Sequence, residues 1–111
     1  MTTCYALDLK DDPVLIAEYE HWHRNVWPEV LDHLRRSGID HCCIHRAGNR
    51  LFMTVESRTG VGTDGGDASL PPRVQEWEDL MATFQQPLAF AMPGEKWVRM
   101  GKVFDWKADP S

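Results

Sequence analysis

Tyr19 and His23 are the residues of this chain whose types and spacing best suit proton-transfer chemistry. Four residues make about one turn of a helix, so a phenol and an imidazole would project as neighbours from one helix face. Histidine has an unperturbed pKa of roughly 6.5 and tyrosine one of roughly 10, so the imidazole can exchange a proton near neutrality while the phenol keeps its own. The same spacing fits two side chains hydrogen-bonded in a structural interface, and spacing alone leaves both interpretations open.

A helical pattern over residues 14–36 must position this pair. Asp12 is a candidate N-cap for it, and Gly38 supplies a stop. Pro28 removes a backbone donor and restricts Trp27, so we expect a kink or restart near that point. Apolar residues fall on or beside the face of the tyrosine and histidine, which therefore points toward the core: Leu15, Trp22 and Val26.

Strand patterns surround this helix. Alternation predicts a first strand over Thr3 to Leu9, a hairpin formed by Ile39 to His45 and Arg50 to Ser57, and a last strand over Trp97 to Trp106. Apolar steps of three and four residues predict a second helix from Arg73 to Phe84. This βαββαβ order predicts an α+β, ferredoxin-like fold in which both helices cover one face of an antiparallel sheet.

The length allows one domain, residues 1–111, with a flexible glycine-rich surface loop at about 58–72. Two helices cover only one face of the sheet, and so small a chain has no third layer for the other. We therefore expect a homodimer of the dimeric α+β barrel type, in which a second copy covers the open face.

Composition excludes several classes of function. The net charge of −5 argues against nucleic acid as a partner, and no apolar run has the length of a membrane span. The first ten residues lack the features of a secretory signal, and three cysteines, an odd number, are most simply reduced thiols. We therefore expect a cytoplasmic protein.

Two further groups of residues could carry chemistry. His41, Cys43 and His45 alternate along one strand, but neighbours on one face lie roughly 6.6 Å apart, too far to converge readily on a metal ion. We expect no metal site there. Tryptophans are abundant, and indole faces can hold the C–H face of a sugar ring, although core packing is the commoner role of any one of them. They are Trp22, Trp27, Trp77, Trp97 and Trp106.

Several of these segments together resemble the L-rhamnose mutarotase family, small dimeric ferredoxin-like enzymes that interconvert the anomers of 6-deoxy sugars. The resemblance covers most of the chain apart from the glycine-rich loop. It is carried by Tyr19, His23, Val26-Trp27-Pro28-Glu29, Asn49-Arg50-Leu51-Phe52-Met53, Trp77 and Lys102-Val103-Phe104.

The resemblance implies roles for five residues. His23 would be the catalytic proton donor, and Tyr19 would contact the sugar. The family's two consecutive site tryptophans fall at Glu76 and Trp77, so only Trp77 carries over, and a site tyrosine falls at Cys42. Strand alternation places Cys42 opposite His41, Cys43 and His45, on the side that suits the helices. A carboxylate at Glu76 could accept two hydrogen bonds from sugar hydroxyls.

The activity implied is that of an isomerase, which interconverts the α and β anomers of a 6-deoxy-L-sugar by acid and base catalysed ring opening and closure. L-rhamnose and L-fucose are the candidate monosaccharides, and no cofactor is required. Because one fold serves many functions, two alternatives stay open: a cofactor-free monooxygenase, and a non-catalytic binder of small molecules of the dimeric α+β barrel type.

Overall fold

The computed structural model describes residues 1–57 and 70–108, so most of the predicted glycine-rich loop lies outside the described residues. In this part of the chain an antiparallel sheet packs against three helices, and the strand order is β2-β3-β1-β4, with β5 also paired to β1. This confirms the predicted α+β class. The elements are β1 (Thr2–Leu9), α1 (Pro13–Trp22), α2 (Pro28–Arg36), β2 (Ile39–Ala47), β3 (Arg50–Ser57), α3 (Pro72–Ala82), β4 (Gln85–Gln86) and β5 (Val98–Arg99).

The long helical pattern is divided into two helices, as predicted. The Asp12 carboxylate caps α1 by accepting hydrogen bonds from the backbone N–H groups of Val14 at 2.9 Å and Leu15 at 3.4 Å. Trp27 has extended backbone angles, φ −59° and ψ 138°, and Pro28 then begins α2. A residue before proline is disfavoured in the helical region, which explains why the chain cannot continue as one helix.

The hairpin of β2 and β3 sets which side chains face the helices. Its turn contains Gly48, whose φ of 60° favours glycine, and Cys42 pairs with Val55 while Cys43 pairs with Thr54. Successive residues point to opposite faces, so Cys42 shares the helix side with buried Val55. The open face carries residues that include Ala6, Phe52, Thr54 and Cys43, all partly exposed.

The core lies between the sheet and the helices. One cluster joins all three helices to β1 and β3, and it consists of Leu9, Tyr19, Val30, Leu51, Trp77, Met81 and Phe84. Tyr19 and Trp77 are therefore buried among aliphatic side chains from several elements. No helix within residues 1–57 and 70–108 is both long and apolar enough to cross a membrane.

The predicted last strand is wrong in extent. Pairing with β1 covers only Val98–Arg99, followed by a hydrogen bond from the Met100 N–H to the Cys4 carbonyl. In this antiparallel register the chain after Met100 runs toward the start of β1 at Thr2, so residues 103–106 have no partner on that strand. β4, within the predicted connector, pairs with Asp8 and Leu9 at the other end of β1. Residues 101–108 are exposed, and Val103 reaches 99% exposure.

Removal of the α1 cap tests how far local structure supports the helix. Asp12→Ala should lower the free energy of unfolding by about 1 kcal/mol, because two backbone N–H groups lose their acceptor. Urea denaturation followed by circular dichroism measures the change. The control is Asp11→Ala, which removes the same charge from the neighbouring residue, and an equal loss in both variants would contradict a capping role.

Candidate functional site

His23 lies at the C-terminal end of α1, where it contacts the helix that carries it. Its Nδ1 is 2.9 Å from the backbone carbonyl oxygen of Tyr19. A carbonyl only accepts hydrogen bonds, so Nδ1 carries a proton, and in the neutral ring Nε2 is then the proton acceptor. The His23 and Tyr19 rings also lie 4.3 Å apart between centroids. The structure thus brings together the two residues singled out by spacing.

Indole rings form one wall of the site. The His23 ring meets the edge of Trp77 at a centroid distance of 5.5 Å, and Trp27 meets Trp77 at 5.2 Å. Trp27 is also covered by the Arg73 guanidinium, whose carbon is 3.8 Å from a Trp27 ring centroid. Such cation–π and edge contacts fix the rotation of the rings. The rings next to His23 are therefore held from both α2 and α3.

Burial controls the protonation of both candidate residues. Burial lowers the pKa of His23 from its ordinary 6.5, and the hydrogen bond to the Tyr19 carbonyl offsets part of that effect. Burial also raises the pKa of Tyr19, helped by the negative charge of Glu78 and by Cys42, whereas a hydrogen bond with the Gln85 side chain acts in the opposite direction. At neutral pH His23 is accordingly a neutral base and Tyr19 an intact phenol.

Cys42 lies on the helix side of β2, as strand alternation predicted. It packs against a second cluster, beside Leu34 and Trp97. Burial, and then the neighbouring Cys43, raise the pKa of its thiol. Cys42 also contributes to the electrostatic environment of Tyr19, so the two side chains are neighbours in this part of the molecule.

Glu76 does not join this group. Its side chain is 60% exposed and binds Arg73, with 2.7 Å between Glu76 Oε2 and the guanidinium nitrogen. Trp77, the next residue, is buried in the core. A carboxylate whose charge raises the pKa of Tyr19 is Glu78, a residue that neither spacing nor the resemblance singled out. A signal was present, since Glu78 follows the apolar Val74 by one helical turn.

Three histidine and cysteine residues of β2 lie away from the site. Cys43 Sγ is 3.4 Å from His41 Nε2, but the His45 ring lies beside Phe52, at 6.5 Å between centroids. Residues 1–57 and 70–108 contain no group of three side chains placed to hold a metal ion.

A cleft of about 420 Å³ lies beside the aromatic site. Its lining includes Leu7, Gln85, Leu88 and Lys96, and contains none of Tyr19, His23 and Trp77. Gln85 connects the two regions because its amide also interacts with Tyr19. The Gln85 Oε1 atom is buried and has no hydrogen-bond partner among the described residues.

The fold and site define a small α+β protein in which an imidazole lies against a buried phenol and an indole ring. The sequence profile described as L-rhamnose mutarotase matches residues 2–106, and the chain belongs to this family. The resemblance read from the sequence is thereby confirmed.

Individual relatives agree with this assignment. An L-fucose mutarotase of Xanthomonas campestris is 45% identical, over 91% of this chain and 84% of its own length. An L-rhamnose mutarotase of Rhizobium johnstonii is 38% identical, over 71% of this chain and 78% of its own. The crystal structure of an L-rhamnose mutarotase from Formosa agariphila has a TM-score of 0.70 at 19% identity, covers 96% of this chain and 99% of its own, and supports the fold.

The geometry at His23 predicts a specific tautomer. Nitrogen-detected NMR should find the neutral ring protonated at Nδ1, with a titration midpoint below 6.5, because burial disfavours the charged ring. His21, exposed on the same helix, serves as the comparison. A neutral His23 protonated mainly at Nε2 would contradict the hydrogen bond to the Tyr19 carbonyl.

Proposed function

We propose that this chain is a mutarotase, a carbohydrate isomerase that interconverts the α and β anomers of a 6-deoxy-L-sugar. The observation that carries the proposal is His23, whose Nδ1 is held by the Tyr19 carbonyl while Nε2 remains a proton acceptor beside Trp77. Family membership supplies the substrate class, since the relatives are named for L-fucose and L-rhamnose.

One imidazole is enough for the reaction. Nε2 of His23 takes the proton of the anomeric hydroxyl as the bond between the anomeric carbon and the ring oxygen breaks. The imidazolium gives that proton to the ring oxygen, which leaves an open-chain aldehyde. Rotation of the carbonyl carbon and reversal of both transfers form the other anomer. Atoms and charge balance at every stage, and neither metal nor cofactor is needed.

The remaining residues bind and orient the sugar. The Tyr19 hydroxyl, kept protonated by its raised pKa, would hydrogen-bond to the ring, and Trp77 would limit its position together with His23. Cys42 would occupy the sheet side of the pocket as a small, apolar thiol. Glu76 remains a candidate sugar ligand from the resemblance, although its bond to Arg73 would have to break first.

The alternatives are not favoured. The relatives from Xanthomonas campestris and Rhizobium johnstonii are named as mutarotases, which argues against both a cofactor-free monooxygenase and a non-catalytic binder. Saturation-transfer NMR of equilibrated L-fucose and L-rhamnose discriminates directly, because only a mutarotase transfers magnetisation between anomers. Line broadening without exchange would indicate a binder.

Substitution of the imidazole tests the mechanism. His23→Ala should lower the rate of anomer exchange by about 10² to 10⁴, the usual contribution of general acid and base catalysis, and should keep the fold. His21→Ala removes an exposed imidazole from the same helix and should leave the rate unchanged. The wild-type rate should also fall on the acid side with a midpoint below 6.5, as Nε2 becomes protonated. Exchange by His23→Ala at the wild-type rate would refute the assignment.

We further infer that the protein is a cytoplasmic homodimer. Partly exposed apolar side chains occupy the open sheet face, and Val103, Phe104 and Trp106 project from residues 101–108. A second copy would bury both surfaces. Cys4, Cys42 and Cys43 are all free thiols, which suits a reducing compartment.

Sedimentation tests the dimer. The chain has a mass of 12.8 kDa, and analytical ultracentrifugation at micromolar concentration should find twice that mass. Phe104→Asp should shift the protein toward monomer, because it places a charge in the surface to be buried. The control Lys107→Asp changes charge at an exposed polar residue. A monomeric wild-type protein would refute the proposal.

A further inference from the structure

Two carboxylates flank Trp77 in α3, and the helix presents them to different surroundings. At about 100° per residue, Glu78 lies about 40° around the helix from Val74, whereas Glu76 lies about 160° from it. Val74, Trp77 and Met81 form the buried side. Glu78 therefore borders the core side of α3, and Glu76 lies on the solvent side.

The partners of the two carboxylates differ accordingly. Glu78 Oε2 lies 3.1 Å from the Lys96 ammonium, and these side chains are only 38% and 34% exposed. Glu76 is 60% exposed, and its partner Arg73 lies over the Trp27 ring. Lys96 belongs to the segment before β5, so the ion pair places Glu78 between α3 and that segment.

The surroundings of Tyr19 contain more hydrogen-bonding capacity than the described residues use. Glu78 is close enough to Tyr19 for its charge to raise the pKa of the phenol, and Gln85 interacts with the same hydroxyl. Gln85 Oε1, in a side chain that is more than nine-tenths buried, has no partner among the described residues. A buried acceptor without a donor is unfavourable, and a hydroxyl-rich ligand would supply donors.

We propose that Glu78, held by Lys96, is the specificity-determining carboxylate of the sugar site and accepts hydrogen bonds from two ring hydroxyls. This inference rests on the proposed mutarotase function and names the group that distinguishes one 6-deoxy-L-sugar from another. A carboxylate only accepts hydrogen bonds, and each hydroxyl can donate one. L-fucose and L-rhamnose differ in configuration at two ring hydroxyls, so a fixed carboxylate can satisfy both donors in only one of them.

A purely structural ion pair would behave differently. Both side chains of the Glu78–Lys96 pair are about a third exposed, where an ion pair adds little stability. If the role of the pair is structural, loss of the Glu78 carboxylate should change the urea midpoint slightly and should not change the ratio of kcat/KM between the two sugars. A role in recognition predicts a changed ratio and an increased KM, with a smaller effect on kcat, because His23 still transfers the proton.

The test compares Glu78→Gln with the control Asp79→Asn, a change of an exposed carboxylate on the same helix, using anomer exchange of L-fucose and L-rhamnose measured by saturation-transfer NMR. Glu78→Gln should raise KM for the preferred sugar about 10-fold, since hydrogen bonds to a charged acceptor become hydrogen bonds to a neutral amide. The ratio of kcat/KM between the sugars should shrink by a similar factor. Asp79→Asn should change neither quantity, since its carboxylate is exposed and accepts a hydrogen bond from the Gln75 side chain of the same helix.

The outcomes separate the two proposals. If the wild-type enzyme is active and Glu78→Gln has the same ratio of kcat/KM between the two sugars, the role of Glu78 is overturned. The mutarotase assignment then stands. An equal change in the ratio of kcat/KM between the two sugars in Asp79→Asn and Glu78→Gln would also overturn the role of Glu78. A wild-type protein inactive on both sugars overturns both proposals. Retained circular dichroism of Glu78→Gln excludes misfolding as the cause of a raised KM.

Discussion

The site depends on the interruption of the helix between Trp22 and Pro28. Proline at the start of α2 prevents a continuous helix, so α1 ends. Its last carbonyl groups then lack the backbone N–H donors that a following turn would supply. His23 supplies such donors, because its backbone N–H and its protonated Nδ1 both hydrogen-bond to the Tyr19 carbonyl. The same contact that completes the helix end holds the imidazole with Nε2 available. Local helix chemistry and proton chemistry therefore share one hydrogen bond.

Packing around this helix end determines the charge state of the site. Trp77 is anchored in the core by α3, and Trp27 contacts both Trp77 and the Arg73 guanidinium. These rings help to exclude water from His23 and keep its neutral form favoured near neutrality. Tyr19, buried by the same aromatic and aliphatic side chains, retains its proton. The same apolar packing thus keeps the His23 imidazole neutral and the neighbouring Tyr19 phenol protonated.

The sequence predicted the structure correctly where neighbouring residues determine it. Alternation, the Asp12 cap and the Trp27-Pro28 step predicted β1, the hairpin and the division of the helix, and spacing paired Tyr19 with His23. It failed where the outcome depended on distant partners. The last strand is short because β1 begins at Thr2 and offers no partner to residues 103–106, and the surroundings of Glu76 and Glu78 depend on how α3 rotates over the sheet. That rotation, rather than adjacency to Trp77, brings Glu78 close to Tyr19.

Cys42 and Cys43 are adjacent in the chain yet belong to opposite faces of the sheet. Cys42 faces the helices and has a raised pKa, so at neutral pH little of it is the reactive thiolate. Cys43 lies on the open face next to the His41 ring. A thiol-directed reagent would therefore have to approach the two neighbouring sulfur atoms from opposite faces of the sheet. One peptide bond therefore separates a thiol on the helix side of the sheet from a thiol on its open face.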